Sequence, residues 1–158
     1  MEIEYREAVR ADIAEMARVR TAEEPQYGFG EQRLRERMMG YFERTHHPQQ
    51  ALMPRVIYVA HEGESLIGYV AGHLTRRFEC QGELEWMYVA PARRGREVAS
   101  ELLRMLAGWF ASQKARRVCV DVQPENARAR RFYARHGAKE LEPSWMIWED
   151  IGLALLER

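Results

Sequence analysis

Glu83-Leu84-Glu85-Trp86-Met87-Tyr88-Val89-Ala90-Pro91-Ala92-Arg93-Arg94-Gly95-Arg96-Glu97-Val98-Ala99 is the stretch on which the fold turns. Its first half reads as a strand, with Leu84, Trp86 and Tyr88 on one face and Glu83, Glu85, Met87 and Val89 on the other. Pro91 ends it, because proline has no N–H for a ladder. Arg93, Arg94 and Gly95 make a short basic turn, and Val98, Ala99, Leu102, Leu103, Leu106 and Phe110 then recur at helical spacing. Strand, basic glycine turn and helix start together make a phosphate site: the first helical N–H groups are unpaired, the dipole favours an anion, and arginines add charge.

Outward from this stretch, Ile3 and Tyr5 alternate with charged residues in a short first strand. Asp12 reads as a helix N-cap, with Glu15 closing a capping box, over an apolar stripe of Ile13, Met16 and Ala17 that ends at Pro25. Residues 31–44 predict a second helix with Leu34, Met38, Tyr41 and Phe42 on one side, and a loop containing His46-His47-Pro48 follows, from Thr45 to Pro54. Val56–Ala60 and Leu66–Leu74 form a hairpin around a turn at 61–65. After the long helix come a strand at 118–122, a helix from Asn126 to about His136 with Gly137 just past its end, and a last strand from Trp145 to Trp148. The alternation predicts an α/β fold (α+β in its segregation), a mixed central sheet of six or seven strands with helices on both faces.

The chain has 158 residues, 46% hydrophobic and 30% charged, with zero formal net charge. This predicts a single domain over residues 1–158, with no global field drawing it to nucleic acid or membrane. No apolar run is long enough to span a bilayer and no signal peptide opens the chain, so a cytoplasmic location is expected. Cys80 and Cys119 lack metal-ligand spacing and are read as isolated free thiols, and His46-His47 has no third ligand at diagnostic spacing, so no metal is expected.

The first stretch resembles the acetyl-CoA site of the GNAT superfamily of N-acetyltransferases, with Arg94 and Ala99 at the first and last positions of the family pattern and Glu97 where the family usually has glycine. A second block, Asn126-Ala127-Arg128-Ala129-Arg130-Arg131-Phe132-Tyr133-Ala134-Arg135-His136-Gly137-Ala138, resembles the family's second signature in the family's order. The resemblance covers residues 56–148 well and the N-terminal third by layout. It implies that the first helices and the loop after them line the acceptor site.

The same resemblance implies acetyl transfer from acetyl-CoA to an amine. Backbone groups of Met87 and Val89 lie beside the pantetheine, and Arg94, Gly95, Arg96, Glu97, Val98 and Ala99 form the diphosphate loop. Tyr133 stands as general acid, since phenol and thiol pKa values are close, at about 10 and 8.5; the other reading is a core tyrosine. Glu83 or Glu85 stands as general base, Glu85 nearer the cleft, or both lie on a solvated strand face. Asn126 is a cofactor contact, an N-cap, or both.

Glu97 is expected in the first helical turn, either pointing outward to pair with Arg93 or Arg94 or occupying the anion site and weakening CoA binding. Glycine there should cost helix stability without weakening acetyl-CoA binding. Arg128, Arg130, Arg131 and Arg135 read as a solvated face or a contact to the CoA 3′-phosphate, and Trp145 and Trp148 as core or homodimer contacts. The expected acceptor is a small-molecule amine, because no acidic strip is present to grip a basic protein tail. Two rival readings are a non-catalytic acyl-CoA-binding module and a nucleic-acid-binding domain built on the 128–135 helix.

Overall fold

The computed structural model describes residues 2–23, 30–45, 51–95 and 97–156. Pro25, the His46-His47-Pro48 segment and Arg96 lie outside them. The described elements are β1 (Ile3–Glu7), α1 (Ile13–Glu23), α2 (Gly30–Glu43), β2 (Leu52–Glu62), β3 (Ser65–Leu74), β4 (Gly82–Val89), α3 (Val98–Ser112), β5 (Val118–Asp121), α4 (Ala127–Arg135), β6 (Lys139–Glu142) and β7 (Trp145–Trp148). Seven strands form one mixed sheet in the order β1-β2-β3-β4-β5-β7-β6. The pair β4–β5 is parallel and every other pair is antiparallel.

Each face of the sheet has its own core. Val98, Leu102, Leu106 and Phe110 of α3 and Tyr133 of α4 pack with Val70, Leu84, Val120 and Trp148 on one face. Ile13 and Met16 of α1 and Leu34, Met38 and Tyr41 of α2 pack with Tyr69, Trp86 and Tyr88 on the other. The predicted arrangement of helices on both faces is therefore present. Helix α3 lies close against bare backbone: a Cβ on Gly82 would stand 2.4 Å from the Phe110 ring.

The alternation expected along β4 breaks in the middle. Ala71 of β3 pairs with Trp86 and its neighbour Gly72 pairs with Leu84, so Glu85 is an extra residue, a β-bulge. Leu84 consequently packs toward α3, while Trp86 and Tyr88 pack toward α1 and α2, and Met87 and Val89 lie against the α3-side core. The expected common face for Leu84, Trp86 and Tyr88 is thus incorrect. Glu83 and Glu85 still share a face, because the bulge keeps Glu85 and Trp86 on the same side, but that face is buried under α2 rather than solvated.

Further differences are local. Asp12 does not cap α1 through Glu15; it ends a short turn at Arg10–Asp12, accepts the Val9 N–H at 2.8 Å and binds Arg6 at 2.8 and 2.9 Å, while Glu15 pairs with Arg18. Strand β2 begins at Leu52, inside the expected loop. Strand β6, Lys-Glu-Leu-Glu, was not expected as an element: one apolar residue among three charged ones gives no alternation to read. Cys80 and Cys119 are not isolated. They pack together with Ile147 and share a thiol hydrogen bond, which lowers the Cys80 thiol and raises that of Cys119. Trp148 is a core residue, fully buried.

Candidate active site

Strand β5 accompanies β4 only along Gly82, Glu83 and Leu84. Beyond Leu84 the two strands part, and the β4 edge facing the gap has no strand partner. Its carbonyls are met by side chains: Arg20 Nη1 donates to the Met87 carbonyl at 3.2 Å and Arg94 Nε to that of Val89 at 3.1 Å. These two carbonyls, two residues apart, point the same way, as strand geometry requires. Arg20 went unremarked in the sequence because its place on α1 says nothing of what it crosses.

At the far end of β4, Pro91–Arg93 form one tight turn, and Gly95 takes a left-handed backbone (φ 80°). Helix α3 then starts at Val98 with Glu97 as its N-cap residue. Glu97 is itself left-handed, with φ 46° and ψ −4°, a conformation glycine adopts without a steric cost. It therefore lies ahead of the first helical turn rather than within it. Arg93 and Arg94 do not pair with it: Arg93 pairs with Glu62, and Arg94 with Glu23 at the end of α1. Burial, and then the nearby Arg128 of α4, hold the Arg94 guanidinium below its usual basicity. Two cations from different elements thus stand near each other and near an open helix start, an arrangement that an anion relieves.

Asn126 caps α4, its side-chain oxygen accepting the Ala129 N–H at 3.2 Å. Gly137 follows the helix with φ 104°. Tyr133 is 5% exposed and meets Trp148 edge to face at 5.6 Å and Phe132 at 5.3 Å. Of the α4 arginines, Arg130 is committed to the fold through the carbonyls of Val122 and Pro143 and the Glu140 carboxylate.

On the other face, Glu85 is held from two sides by α2: Arg37 donates to one oxygen at 2.8 Å, and the Tyr41 hydroxyl donates to the other. Arg77 Nε donates to Glu83 Oε1 at 3.1 Å. Between the two carboxylates lies His73 of β3, fully buried, with Nε2 3.9 Å from Glu83 Oε2 and 4.0 Å from Glu85 Oε1. Burial pushes both glutamate carboxyls up and the histidine down, against the pull of Arg77 and His73 on Glu83 and of Tyr41 and Arg37 on Glu85. Burial, then Glu85, raises the Tyr41 phenol well above its ordinary value. The structure therefore brings Glu83 and Glu85 together and leaves Tyr133 on the opposite face. No group of three or more histidine, cysteine, aspartate or glutamate side chains suited to a metal occurs among the described residues. No helix among them is long and apolar enough to cross a membrane.

A mixed seven-stranded sheet split after one parallel pair, with a basic turn leading into the helix beside the split, defines an acetyltransferase architecture. The model of the acetyltransferase (GNAT) family matches residues 16–138, and the chain belongs to that family. The spore coat polysaccharide biosynthesis protein SpsD of Bacillus subtilis (strain 168) is 41% identical over 94 residues, 58% of this chain and 31% of that protein. An uncharacterised N-acetyltransferase of Mycobacterium bovis is 33% identical over 85 residues, 54% of this chain and 53% of that protein. The matched stretch thus spans from about a third to about half the length of these relatives. The aminoglycoside N-acetyltransferase AAC(6′)-Iy, solved with CoA, has a TM-score of 0.73 at 18% identity, covering 89% of this chain and 90% of that one. At that identity the likeness concerns the fold.

Proposed function

We propose that the protein transfers an acetyl group from acetyl-CoA to a primary amine of a small molecule. The observation that carries this reading is the pair of carbonyls, Met87 and Val89, that turn out from the parted edge of β4 and are met by guanidinium N–H groups in place of a strand. They are acceptors spaced for the amide N–H groups of a pantetheine arm. The residues present fit the rest of the donor. The N–H groups of Val98 and Ala99 at the start of α3, with Arg94, Gly95 and Arg128, hold the diphosphate and 3′-phosphate. Arg96 and Glu97 complete that loop, and Asn126 supports it by fixing the first turn of α4.

The amine enters from the α1–α2 side and needs a base there. Both Glu85 oxygens accept hydrogen bonds, whereas Glu83 Oε2 accepts none from the described residues and lies 3.9 Å from the His73 ring. Glu83 therefore takes the proton, and Glu85 holds α2 against β4. Its raised pKa makes Glu83 a stronger base than a solvated glutamate. Tyr133, on the other face, protonates the departing thiolate. Arginines pair with both glutamates, so these two carboxylates offer no acidic strip to a basic peptide tail, which supports a small acceptor. A cytoplasmic setting accords with the two buried free thiols.

The test is a panel of amines — glucosamine, spermidine, kanamycin and lysine — with acetyl-CoA, read by thiol release and paired with thermal melts. Acetyl-CoA at about 100 times its dissociation constant should add about 2.7 kcal/mol of stability, and at least one amine should turn over. Stabilisation without turnover would make the protein an acyl-CoA-binding module. The absence of both stabilisation and turnover overturns the reading altogether.

A further inference from the structure

His73 is a buried ionisable side chain that acetyl transfer by Glu83 and Tyr133 leaves without a role, and its surroundings suggest one. It stands directly across from Glu83 in the β3–β4 register. Its Nδ1 lies 2.8 Å from the Leu74 carbonyl, an acceptor only, so Nδ1 carries the hydrogen. Nε2 then holds a lone pair. That atom is buried with no hydrogen-bond partner among the described residues, and it faces the two carboxylates at 3.9 and 4.0 Å. A ring needed only to fill space would be better served by an apolar side chain, which leaves no polar atom unsatisfied.

We propose that His73 acts through Glu83 as the second station for the acceptor's proton. Resting on the transfer reaction above, the sequence balances as follows. The ammonium of the acceptor gives one proton to the Glu83 carboxylate, leaving a neutral amine and a carboxylic acid. Once protonated, Glu83 Oε2 has a hydrogen to donate and must close from 3.9 Å to hydrogen-bond reach of Nε2. Its O–H bond then breaks toward Nε2, restoring the carboxylate and forming an imidazolium, and after product release the proton returns through the Glu83 carboxylate to solvent. Burial, first of all, and then Arg55 of β2 and Arg77 beyond β3 oppose that cation, while Glu83 and the Leu74 carbonyl favour it and Glu85 faces it at 4.0 Å. Tyr41 and Arg37 of α2 act on it through Glu85. The balance lets the ring accept a proton without holding it at rest. His73 is thus a positioning residue, and it keeps Glu83 ionised while the amine attacks.

The experiment uses the best acceptor from the amine panel and compares wild type, His73→Gln, Glu83→Gln and the double variant across pH. Calorimetric acetyl-CoA binding reports that each variant is folded. Glu83→Gln should lose about 10²-fold or more in kcat. His73→Gln should lose about tenfold in kcat with KM little changed, and the acid limb of its pH profile should move. The double variant should be no worse than Glu83→Gln alone, because the two residues act in series. Additive losses, or a His73→Gln profile that overlays wild type, overturn the proposal while leaving the transferase intact. Absence of turnover with every amine in the wild type overturns the transferase reading and this one with it. A readout that needs no variant is ring-nitrogen NMR of the wild-type protein. His73 should show the neutral form with its proton on Nδ1 at neutral pH, and a proton resting on Nε2 would overturn the proposal.

Discussion

Arg94 donates from Nε to the carbonyl of Val89 at 3.1 Å. The same guanidinium pairs with Glu23 at the end of α1, so one side chain ties the unpaired edge of β4 to α1. If the gap takes the pantetheine arm, Arg94 must exchange these contacts for the diphosphate, and Glu23 competes with the ligand for it. The pair is largely shielded, at 28% and 22% side-chain exposure. Partly exposed pairs of this kind contribute about 0.2–1 kcal/mol. Glu23→Gln should therefore tighten acetyl-CoA binding by at most about fivefold, the ratio that the upper end of this energy yields, and Arg94→Ala should weaken it. Calorimetric titration at two salt concentrations checks both. A weaker Glu23→Gln complex would show that Glu23 shapes the loop rather than competing for it.

Tyr133→Phe separates chemistry from packing. The ring is buried against Trp148 and Phe132, and phenylalanine keeps those ring contacts, so the variant should fold, losing at most the contribution of one hydroxyl hydrogen bond, about 0.5–1.5 kcal/mol. Turnover on the best amine should fall about 10²-fold or more, the scale for loss of a general acid, with acetyl-CoA affinity preserved. Near-normal turnover would assign the thiolate's proton to water.

Asp12 predicts the acid side of the stability curve. Burial pushes its carboxyl up, but the paired bonds from Arg6 and the Val9 N–H outweigh it, and the result lies below the ordinary aspartate value. A lowered carboxyl contributes stability above its unfolded pKa, about 3.9, which is lost as pH falls through the folded value. Asp12→Asn keeps an acceptor for Val9 and loses the charge facing Arg6, whose side chain is 34% exposed. It should cost about 0.5–1 kcal/mol at neutral pH and almost nothing well below pH 4. Glu83 and Glu85 run the other way: raised by burial, they favour the fold below about 4.3 and lose that contribution as pH climbs through their folded values. Urea midpoints of wild type and Asp12→Asn across acid pH should converge. A constant gap would make the Asp12 contribution geometric rather than ionic.

Much of this was legible in the sequence, and what was not has identifiable causes. Helices α2, α3 and α4 carry apolar stripes of ordinary period, and Asn126 and Gly137 mark the ends of α4 by local chemistry alone. The bulge at Glu85 was not legible, because nothing in Leu-Glu-Trp-Met distinguishes strict alternation from one inserted residue; the register is set by β3. His73 and Arg20 escaped for a related reason. Their significance lies in what tertiary packing puts opposite them, Glu83 in one case and the Met87 carbonyl in the other. Asp12 and Glu97 were legible as residues near helix starts but misplaced by a residue or more. That small error reverses the expected consequence at Glu97.

Glu97→Gly should not lower stability. A residue inside the first turn of α3 would lose up to about 1 kcal/mol on change to glycine, but Glu97 sits outside that turn with φ 46°. A left-handed backbone costs a non-glycine residue roughly 1–2 kcal/mol, a cost that glycine avoids. Two losses oppose the gain. The freer unfolded chain costs about 0.4–1 kcal/mol, and removing an anion from a helix N-terminus costs about 0.3–1 kcal/mol. The sum lies near zero or slightly in favour of glycine, so the melting temperature should hold or rise by a few degrees. Binding should move more clearly. Removing the carboxylate takes away a repulsion of about 1 kcal/mol for a phosphate about 4 Å away in water, and glycine opens the loop to closer approach. Acetyl-CoA should bind Glu97→Gly up to about fivefold tighter, with the advantage shrinking as salt screens the charge. Melting curves and dissociation constants at low and moderate salt decide it. A clear fall in melting temperature would return Glu97 to the helix interior, and a tenfold weaker complex would mean that this carboxylate holds the diphosphate loop in its binding form.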